Sequence, residues 1–528
     1  MAISMSKNCK CILHDHFGEL AETVGYYLSR KSACHLRDII NGTKVPVDRV
    51  KKVLSILIQQ NLVEFEKNKR GQTEYMLNHD RVMWRNRIPR YIHCGKSLYG
   101  DAAELVIEDI VQNGQVTMID TVENVTDKLN EALENAGHPK IDVSVVYEKF
   151  KCLAQTHFLQ QCVNPLDPPL KNEMDERDVT SLYTVPPLTS GSKKRKHSVG
   201  DSDQPQAKRI KTEPGTQAST DEVYWRINYS RFHQYFRDQM LIKAMSSKID
   251  KRAGDILQTM LRLSEVKSEE LALTTSPLAF NEIFHALPKE LNISRHTCEQ
   301  YLNIMADDSM SFVMKVGESG GGMYIVNMMK ALETLCQAHI ESVVQERFGS
   351  KSLRIFRVLL LKKHLEQKQI EELVMIPAKE AKELLYNMFA QNYVSIAEVS
   401  KTADHAPART FYLFSVNLEQ LARMLLQHAL KAHYNAMVKR EMETRENRRL
   451  MEKQERVDAI IASLEANKAE DVQKEEILQT ITPAEKSQLT RIRHMINMLD
   501  QSELQLDETI FILETYIQYC EEKQKSKF

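Results

Sequence analysis

The 528-residue chain is too long for one hydrophobic core, so several domains are expected. A hydrophobic share of 42% and a charged share of 27% describe an ordinary globular protein and exclude a disordered or fibrous one, and no apolar run approaches the roughly 20 residues that cross a bilayer. The net charge of −1 gives no global sign of nucleic-acid binding, so such a role has to sit in local basic patches.

Met1 to Leu13 carries Lys7, Cys9, Lys10 and Cys11 where a signal peptide needs unbroken apolar residues, so a cytosolic or nuclear protein is expected. The nine cysteines are scattered, and only Cys9 and Cys11 lie close together. Without a CxxC pair, neither a zinc site nor a disulfide framework is expected. The thiols read as small buried hydrophobes.

The first predicted helix runs from Phe17 to Leu28 and a short second one from Leu36 to Ile40; a third starts at Pro46 and buries Val50, Leu54, Leu57 and Ile58. Asn61 then ends the helical spacing, and period-two alternation begins at Leu62. Leu62, Phe65 and Tyr75 flank a turn at Lys69-Arg70-Gly71. A helix running straight into a β-hairpin is the second half of a winged helix. The spacing Leu54, Leu57, Ile58, Asn61, Leu62, Val63 returns at Phe150, Leu153, Ala154, His157, Phe158, Leu159. It returns again at Leu385, Met388, Phe389, Asn392, Tyr393, Val394, and a looser version joins Tyr301, Ile304 and Met305 to Phe312 and Val313. Hairpins are predicted from Phe312–Val316 with Met323–Val326 and from Val394–Val399 with Phe411–Val416. Unrelated helix–strand junctions in a larger α+β fold are the alternative.

From about Pro165 to Thr220 periodicity stops and Pro, Ser, Asp, Lys and Thr dominate, as in a disordered loop. Within it, Lys193, Lys194, Arg195 and Lys196, then Lys208, Arg209 and Lys211, read as a bipartite nuclear localisation signal; a solvated charge run is the alternative. Ser198 and Ser202, close to Asp201 and Asp203, are candidate phosphorylation sites. After Asn417 an apolar stripe from Leu418 to Leu464 marks a long helix, and Thr482-Pro-Ala-Glu485 opens another with a capping box. Leu489, Ile492, Ile496 and Leu499, then Leu506, Ile510, Leu513 and Ile517, step by three and four as in a coiled coil.

The expected fold is mainly α with small β-wings, four tandem extended winged-helix domains followed by an antiparallel coiled-coil hairpin. The expected limits are 8–95, 96–164, 223–330 and 331–417 for the winged helices, 165–222 for a disordered basic linker and 418–528 for the hairpin.

Catalytic constellations are not evident. Gly95-Lys96-Ser97 resembles the end of a P-loop, but Arg90 stands where the leading glycine belongs. The glycines from Gly317 to Gly322 lie between strands, not before a helix. His14-Asp15-His16, expected at a helix start, lacks further metal ligands, and Asp307-Asp308 stands alone. No cofactor or metal is expected.

Binding chemistry is better represented. The outer face of the third helix of copy one offers Arg49, Lys52, Ser55 and Gln59, flanked by Lys44 and Lys51, and the wing adds Lys67, Lys69 and Arg70. A winged helix sets that helix in the major groove and the wing against phosphates. Arg81, Arg85, Arg87 and Arg90 surround Trp84, and Arg85 and Arg87 join the predicted DNA-binding set. The third helices of copies two and four mix charges, Asp142, Glu148, Lys149 and Lys151 against Lys379, Glu380, Lys382 and Glu383, which suits protein docking. Copy four's first helix, with Arg354, Arg357, Lys362 and Lys363, is the exception.

Seven longer strings carry a resemblance: Arg231-Phe-His-Gln-Tyr-Phe-Arg-Asp-Gln239, Asn281-Glu-Ile-Phe284, Ser319-Gly-Gly-Gly-Met-Tyr324, Ser342-Val-Val-Gln-Glu-Arg-Phe-Gly349, Met375-Ile-Pro-Ala-Lys-Glu-Ala381, Asp404-His-Ala-Pro-Ala-Arg-Thr-Phe-Tyr412 and Asp507-Glu-Thr-Ile-Phe511. On these the chain resembles the third-largest-subunit family of eukaryotic RNA polymerase III, over nearly its whole length and least in the first ten residues and the 165–222 stretch. The resemblance implies four extended winged helices and a coiled coil, similar to the alpha subunit of TFIIE. It implies a nuclear, non-catalytic subunit that forms a heterotrimer with two other polymerase III-specific subunits near the clamp of the core. It further implies engagement of TFIIIB, contact with duplex and single-stranded promoter DNA during opening at genes for small non-coding RNAs, and a link to sensing of cytosolic AT-rich DNA. A stand-alone transcription factor would need base-reading residues on more than one recognition helix. A scaffold of the proteasome-lid type would carry a single winged helix near its C-terminus.

Overall fold

The computed structural model describes residues 2–137, 139–162, 182–186, 223–265, 268–269, 271–308, 310–400, 410–466 and 480–526. The chain folds as two compact units, Ile12–His233 and Met1–Cys11 with Gln234–Phe528. Among the described residues there are four three-stranded antiparallel sheets, each built in the same order, with the last strand of the module in the middle.

In the first unit, helices α1 (Ala2–Phe17, shared with the other unit) and α2 (Glu19–Ser29) lead to strand β1 (Cys34–His35), α3 (Leu36–Thr43), α4 (Val47–Gln59) and the wing strands β2 (Val63–Lys67) and β3 (Thr73–Leu77). Next come α5 (His79–Trp84), α6 (Ile88–Tyr99) and α7 (Asp101–Asn113), then β4 (Val116–Thr117), α8 (Met118–Ala136), α9 (Val143–Gln155), β5 (Leu159–Gln161) and β6 (Tyr224–Ile227). Pro46, where the helix was expected to start, is the N-cap of α4, which begins one residue later at Val47.

The repeated spacing has a backbone cause. Asn61, His157 and Asn392 adopt left-handed φ of 56°, 65° and 61°. Around Asn61 the Leu62 amide donates to Leu57 O and the Asn61 amide to Ile58 O, both at 2.9 Å; Phe158 and His157, and Tyr393 and Asn392, repeat both bonds. This is the Schellman ending of a helix, which needs a residue tolerant of positive φ and then an apolar one. In the looser copy the left-handed residue is Ser311, φ 49°.

The sheets add a second repeat: each wing ends on asparagine. The amides of Asn78, Asn228 and Asn327 donate back to Leu62, Phe158 and Phe312 carbonyls at 2.9, 3.0 and 2.8 Å. The side chains of Asn78, Asn327 and Asn417 then cap the next helix by accepting from Arg81, Lys330 and Glu419 amides. Such a cap stabilises a helix by about 1 kcal/mol.

The expected limits of the second module need correction. β6 pairs with both β4 and β5, with Trp225 opposite Val116 and Gln161. The middle strand of the second sheet therefore lies beyond the 165–222 stretch, which is an insertion between two wing strands and not a linker between modules. Alternation decides the placement: Trp225 and Ile227 are buried, and Trp225 meets Phe150 edge-on with centroids 5.3 Å apart. Part of the stretch expected to be disordered is docked on this module. Gln161 N donates to Leu182 O, Tyr147 Oη donates to Pro186 O at 3.0 Å, and Tyr183 stacks on His157 at 3.8 Å. The basic clusters at 193–196 and 208–211, with Ser198 and Ser202, lie outside the described residues.

The second unit continues with α10 (Tyr229–Lys248, begun in the first unit), α11 (Lys251–Ser264), β7 (Leu278–Ala279), α12 (Phe280–Ala286), α13 (Arg295–Asp307), β8 (Val313–Gly317) and β9 (Met323–Val326). Helix α14 (Met328–Lys362) breaks at Gly349, φ 84° and ψ 175°, and its second part serves as the first helix of the fourth module. That module adds β10 (His364–Glu366), α15 (Gln367–Val374), α16 (Ala378–Ala390), β11 (Ser395–Ser400) and β12 (Thr410–Ser415). The chain closes with α17 (Leu418–Glu446), α18 (Arg448–Ala466) and α19 (Pro483–Lys525).

The capping box at Thr482 and Glu485 forms as its spacing predicts. Its carboxylate is held down to about 2, first by the Lys453 ammonium and then by the Thr482 amide. α17 and α19 run antiparallel, since Arg423 pairs with Glu521 at 3.0 Å and Arg440 with Glu503 at 2.9 Å. Toward the tip Lys453 reaches Glu485, and Val457, Ile481 and Leu489 form a small core. The base of the hairpin is not a free-standing piece from residue 418. Phe511 meets Phe236, Arg237 Nη1 donates to Tyr519 Oη at 2.6 Å, and Asn8 Nδ2 of α1 donates to Leu430 O at 2.8 Å.

Candidate DNA-binding face

Helix α4 turns Val50, Val53, Leu54 and Leu57 into the core of the first module. That leaves Arg49, Lys51, Lys52, Ser55, Ile56 and Gln59 exposed. Lys44, φ 57°, ends α3 in the left-handed region and is exposed beside the start of α4. The wing tip is shaped by Asn68, whose Oδ1 accepts from the Arg70 amide at 2.8 Å and whose Nδ2 donates to Glu74 at 3.0 Å. With Gly71 at φ 74° the turn closes tightly and holds Lys69 and Arg70 in solvent.

Lys44, Arg49, Lys51, Lys52, Lys67, Lys69 and Arg70 form no ion pair in the described structure, unlike many cations of the other modules. Lys351 pairs with Glu380, Arg357 with Glu341 at 2.7 Å, Lys315 with Glu318 at 2.8 Å. A cation without a carboxylate partner is available to a phosphate. Gln59, though exposed, donates Nε2 to Asn113 O at 3.0 Å and is thereby tied to α7.

Arg85 and Arg87 do not belong to this face. They are 6% and 2% exposed. Arg85 Nη1 donates to Gln60 Oε1 at 2.9 Å and its guanidinium lies 4.7 Å from the Phe17 ring centroid. Burial pulls its pKa below the usual arginine value. Arg81 pairs with Glu64 at 2.9 Å, and Trp84 packs edge-on against His233 at 4.7 Å. The cluster of cations around Trp84 is thus interior packing of the unit. His233, sharing a 2.8 Å hydrogen bond with the Tyr91 hydroxyl, is held well below its usual pKa by burial and by Arg87 and Arg90. The histidines at 14 and 16 close helix α1 instead of opening a helix, and His14 Nδ1 pairs with Glu22 at 2.6 Å.

Ile56, 48% exposed between Lys52 and Gln59, was hidden in the sequence because an apolar residue in an amphipathic helix reads as core. The third helices of the other modules show apolar side chains outward: Val143 and Val145 on α9, Ile304 on α13, Tyr386 and Phe389 on α16. Arg357 and Lys363 of the fourth module's first helix are respectively paired with Glu341 and at a left-handed helix end, φ 69°.

Four modules of one strand order and a helical hairpin define a tandem winged-helix protein. Its segments match four families: the RNA polymerase III subunit RPC82 helix-turn-helix domain over residues 7–68, RNA polymerase III subunit RPC82 over 148–335, the POLR3C C-terminal winged-helix domain over 340–416, and the RPC3 helical hairpin domain over 449–512. The chain is similar to DNA-directed RNA polymerase III subunit RPC3 of Rattus norvegicus, 44% identical with 98% of this chain and 99% of the relative covered. Its similarity to the Homo sapiens subunit is the same, 44% with 98% and 99% covered, and to the Dictyostelium discoideum subunit 31% over 45% of this chain and 37% of the relative. The chain belongs to the DNA-directed RNA polymerase III subunit RPC3 family, a family of non-catalytic polymerase subunits.

Proposed function

We propose that the chain acts in the nucleus as a non-catalytic subunit of RNA polymerase III, docked near the clamp of the core with two other specific subunits. In that place it helps to engage TFIIIB and to open promoter DNA at genes for tRNA, 5S rRNA and other small non-coding RNAs. The family link to cytosolic AT-rich DNA would run through the same assembly.

DNA contact is assigned to the first module, and the observation that carries it is the set of seven exposed cations without carboxylate partners on α3, α4 and the wing. The outward apolar residues of α9, α13 and α16 favour protein partners for the remaining modules. The basic clusters between residues 193 and 211 would serve nuclear import. The reading is tested in transcription reconstituted with polymerase carrying Lys52→Gln, Lys69→Gln and Arg70→Gln together. Permanganate reactivity of the melted promoter should fall while the subunit stays in the enzyme; undiminished opening would remove the DNA-contact assignment.

A further inference from the structure

Arg49, Lys52, Ile56 and Gln59 step by three, four and three along α4 and so form one stripe on the outside of the first module. Ile56 sits within it, a branched aliphatic side chain 48% exposed. The neutral polar side chains nearest to it are engaged inside the protein. Ser55 Oγ donates to Lys51 O at 3.0 Å, and Gln59 Nε2 donates to Asn113 O at 3.0 Å. An exposed isoleucine by itself is ordinary. This one shares its stripe with Arg49 and Lys52, which form no ion pair among the described residues. The one carboxylate of α4, Asp48, lies in its first turn, about two turns away. On α16, by contrast, the outward Tyr386 and Phe389 share their helix with the exposed Glu383.

An apolar side chain ringed by unpaired cations suits a polyanion with an apolar group at the point of contact. A winged helix lays this stripe in the major groove, where the arginine and lysine side chains reach phosphates and the middle of the stripe meets base edges. On those edges the C5 methyl of thymine is the apolar group; the other features are hydrogen-bond donors and acceptors. Isoleucine laid over an amino or carbonyl edge strips water from it and returns no hydrogen bond. Laid over a thymine methyl, it removes apolar surface from water on both sides.

Given DNA contact by the first module, on which this rests, we propose that Ile56 reads the C5 methyl of thymine in the major groove. The module then binds duplex bearing that methyl more tightly than duplex lacking it. Thymine and uracil pair alike and carry the same charge, so the methyl alone makes the difference. One methyl group taken out of water changes affinity about fourfold.

The test is fluorescence anisotropy of the full chain with a labelled alternating A·T duplex and with the same duplex carrying deoxyuridine in place of thymidine. The parent should bind the thymine duplex about fourfold more tightly. Ile56→Ala, a better helix former at an exposed position, should fold and bind both duplexes equally. Its salt dependence should stay parental, because the phosphate contacts are untouched. Ile56→Val should keep part of the preference. A parent that binds the two duplexes equally, or a preference as large in Ile56→Ala as in the parent, overturns the proposal. The variant carrying Lys52→Gln, Lys69→Gln and Arg70→Gln, measured on the same duplexes, tells the two assignments apart. If its salt slope matches the parent's, the DNA contact falls and the methyl reading with it. If its slope flattens while Ile56→Ala keeps the preference, the methyl reading alone falls.

Discussion

Replacing Lys52, Lys69 and Arg70 together by glutamine tests the DNA face where it is most exposed. Each phosphate contact contributes about −0.9 to the slope of log K against log salt on duplex DNA. If all seven unpaired cations meet phosphates, the parent slope approaches about −6, and the triple variant about −4. Between 50 and 200 mM salt the parent would then lose about 6,000-fold in affinity and the variant about 150-fold. Fluorescence anisotropy of a labelled 20-base-pair duplex across that range reads both slopes. None of the three residues packs in the core, so melting temperature should not change. As a control, Lys379→Gln with Lys382→Gln on α16 removes two exposed charges from the fourth module and should leave the slope where it was. A triple variant with the parental slope would refute the assignment of DNA contact to the first module.

Other perturbations have defined outcomes. Asn8→Ala strands the Leu430 carbonyl and its partner His433 Nδ1, so chemical denaturation should show a loss of about 1–3 kcal/mol. Asn392→Gly should be nearly neutral, whereas Asn392→Val, forced to φ 61°, should cost about 1–2 kcal/mol in the same assay. The depressed pKa of His233 means that the unfolded chain takes up a proton first. Stability should therefore be complete above about pH 6.5 and fall as pH drops below it, by up to about 1.4 kcal/mol per unit, with His233→Gln flattening the dependence in urea titrations. Leu489→Asp should open the tip of the hairpin around Val457 and Ile481 and sensitise it to protease, while the winged helices keep their melting transition.

Much of the fold was legible because its repeat is a local backbone device. A Schellman ending fixes which residue can follow a helix, so Asn61, His157 and Asn392 mark the same corner in three modules. The spacing of Leu489, Ile492, Ile510 and Ile517 likewise reports the hairpin face directly. What escaped depends on pairing between distant segments. The four residues of β6 carry little signal by themselves, and only the sheet shows that Trp225 belongs beside Val116. Arg85 and Arg87 look like solvent cations in sequence; their burial follows from Phe17, Gln60 and α10 closing over them, which local pattern does not encode. Helix α1 was missed for the same reason, since Asn8 is made a core residue by Leu430 and His433 of the distant α17. On the DNA face, the exposed charges of α4 and the wing were readable from helical period and turn chemistry, while the tether of Gln59 to Asn113 was not.

Membership in a working RNA polymerase III can be read by affinity purification of the tagged full-length protein from nuclear extract at moderate salt, followed by mass spectrometry. The polymerase III core should be recovered together with its specific subunits. Recovery of the protein alone, or with proteasome-lid components, would contradict it.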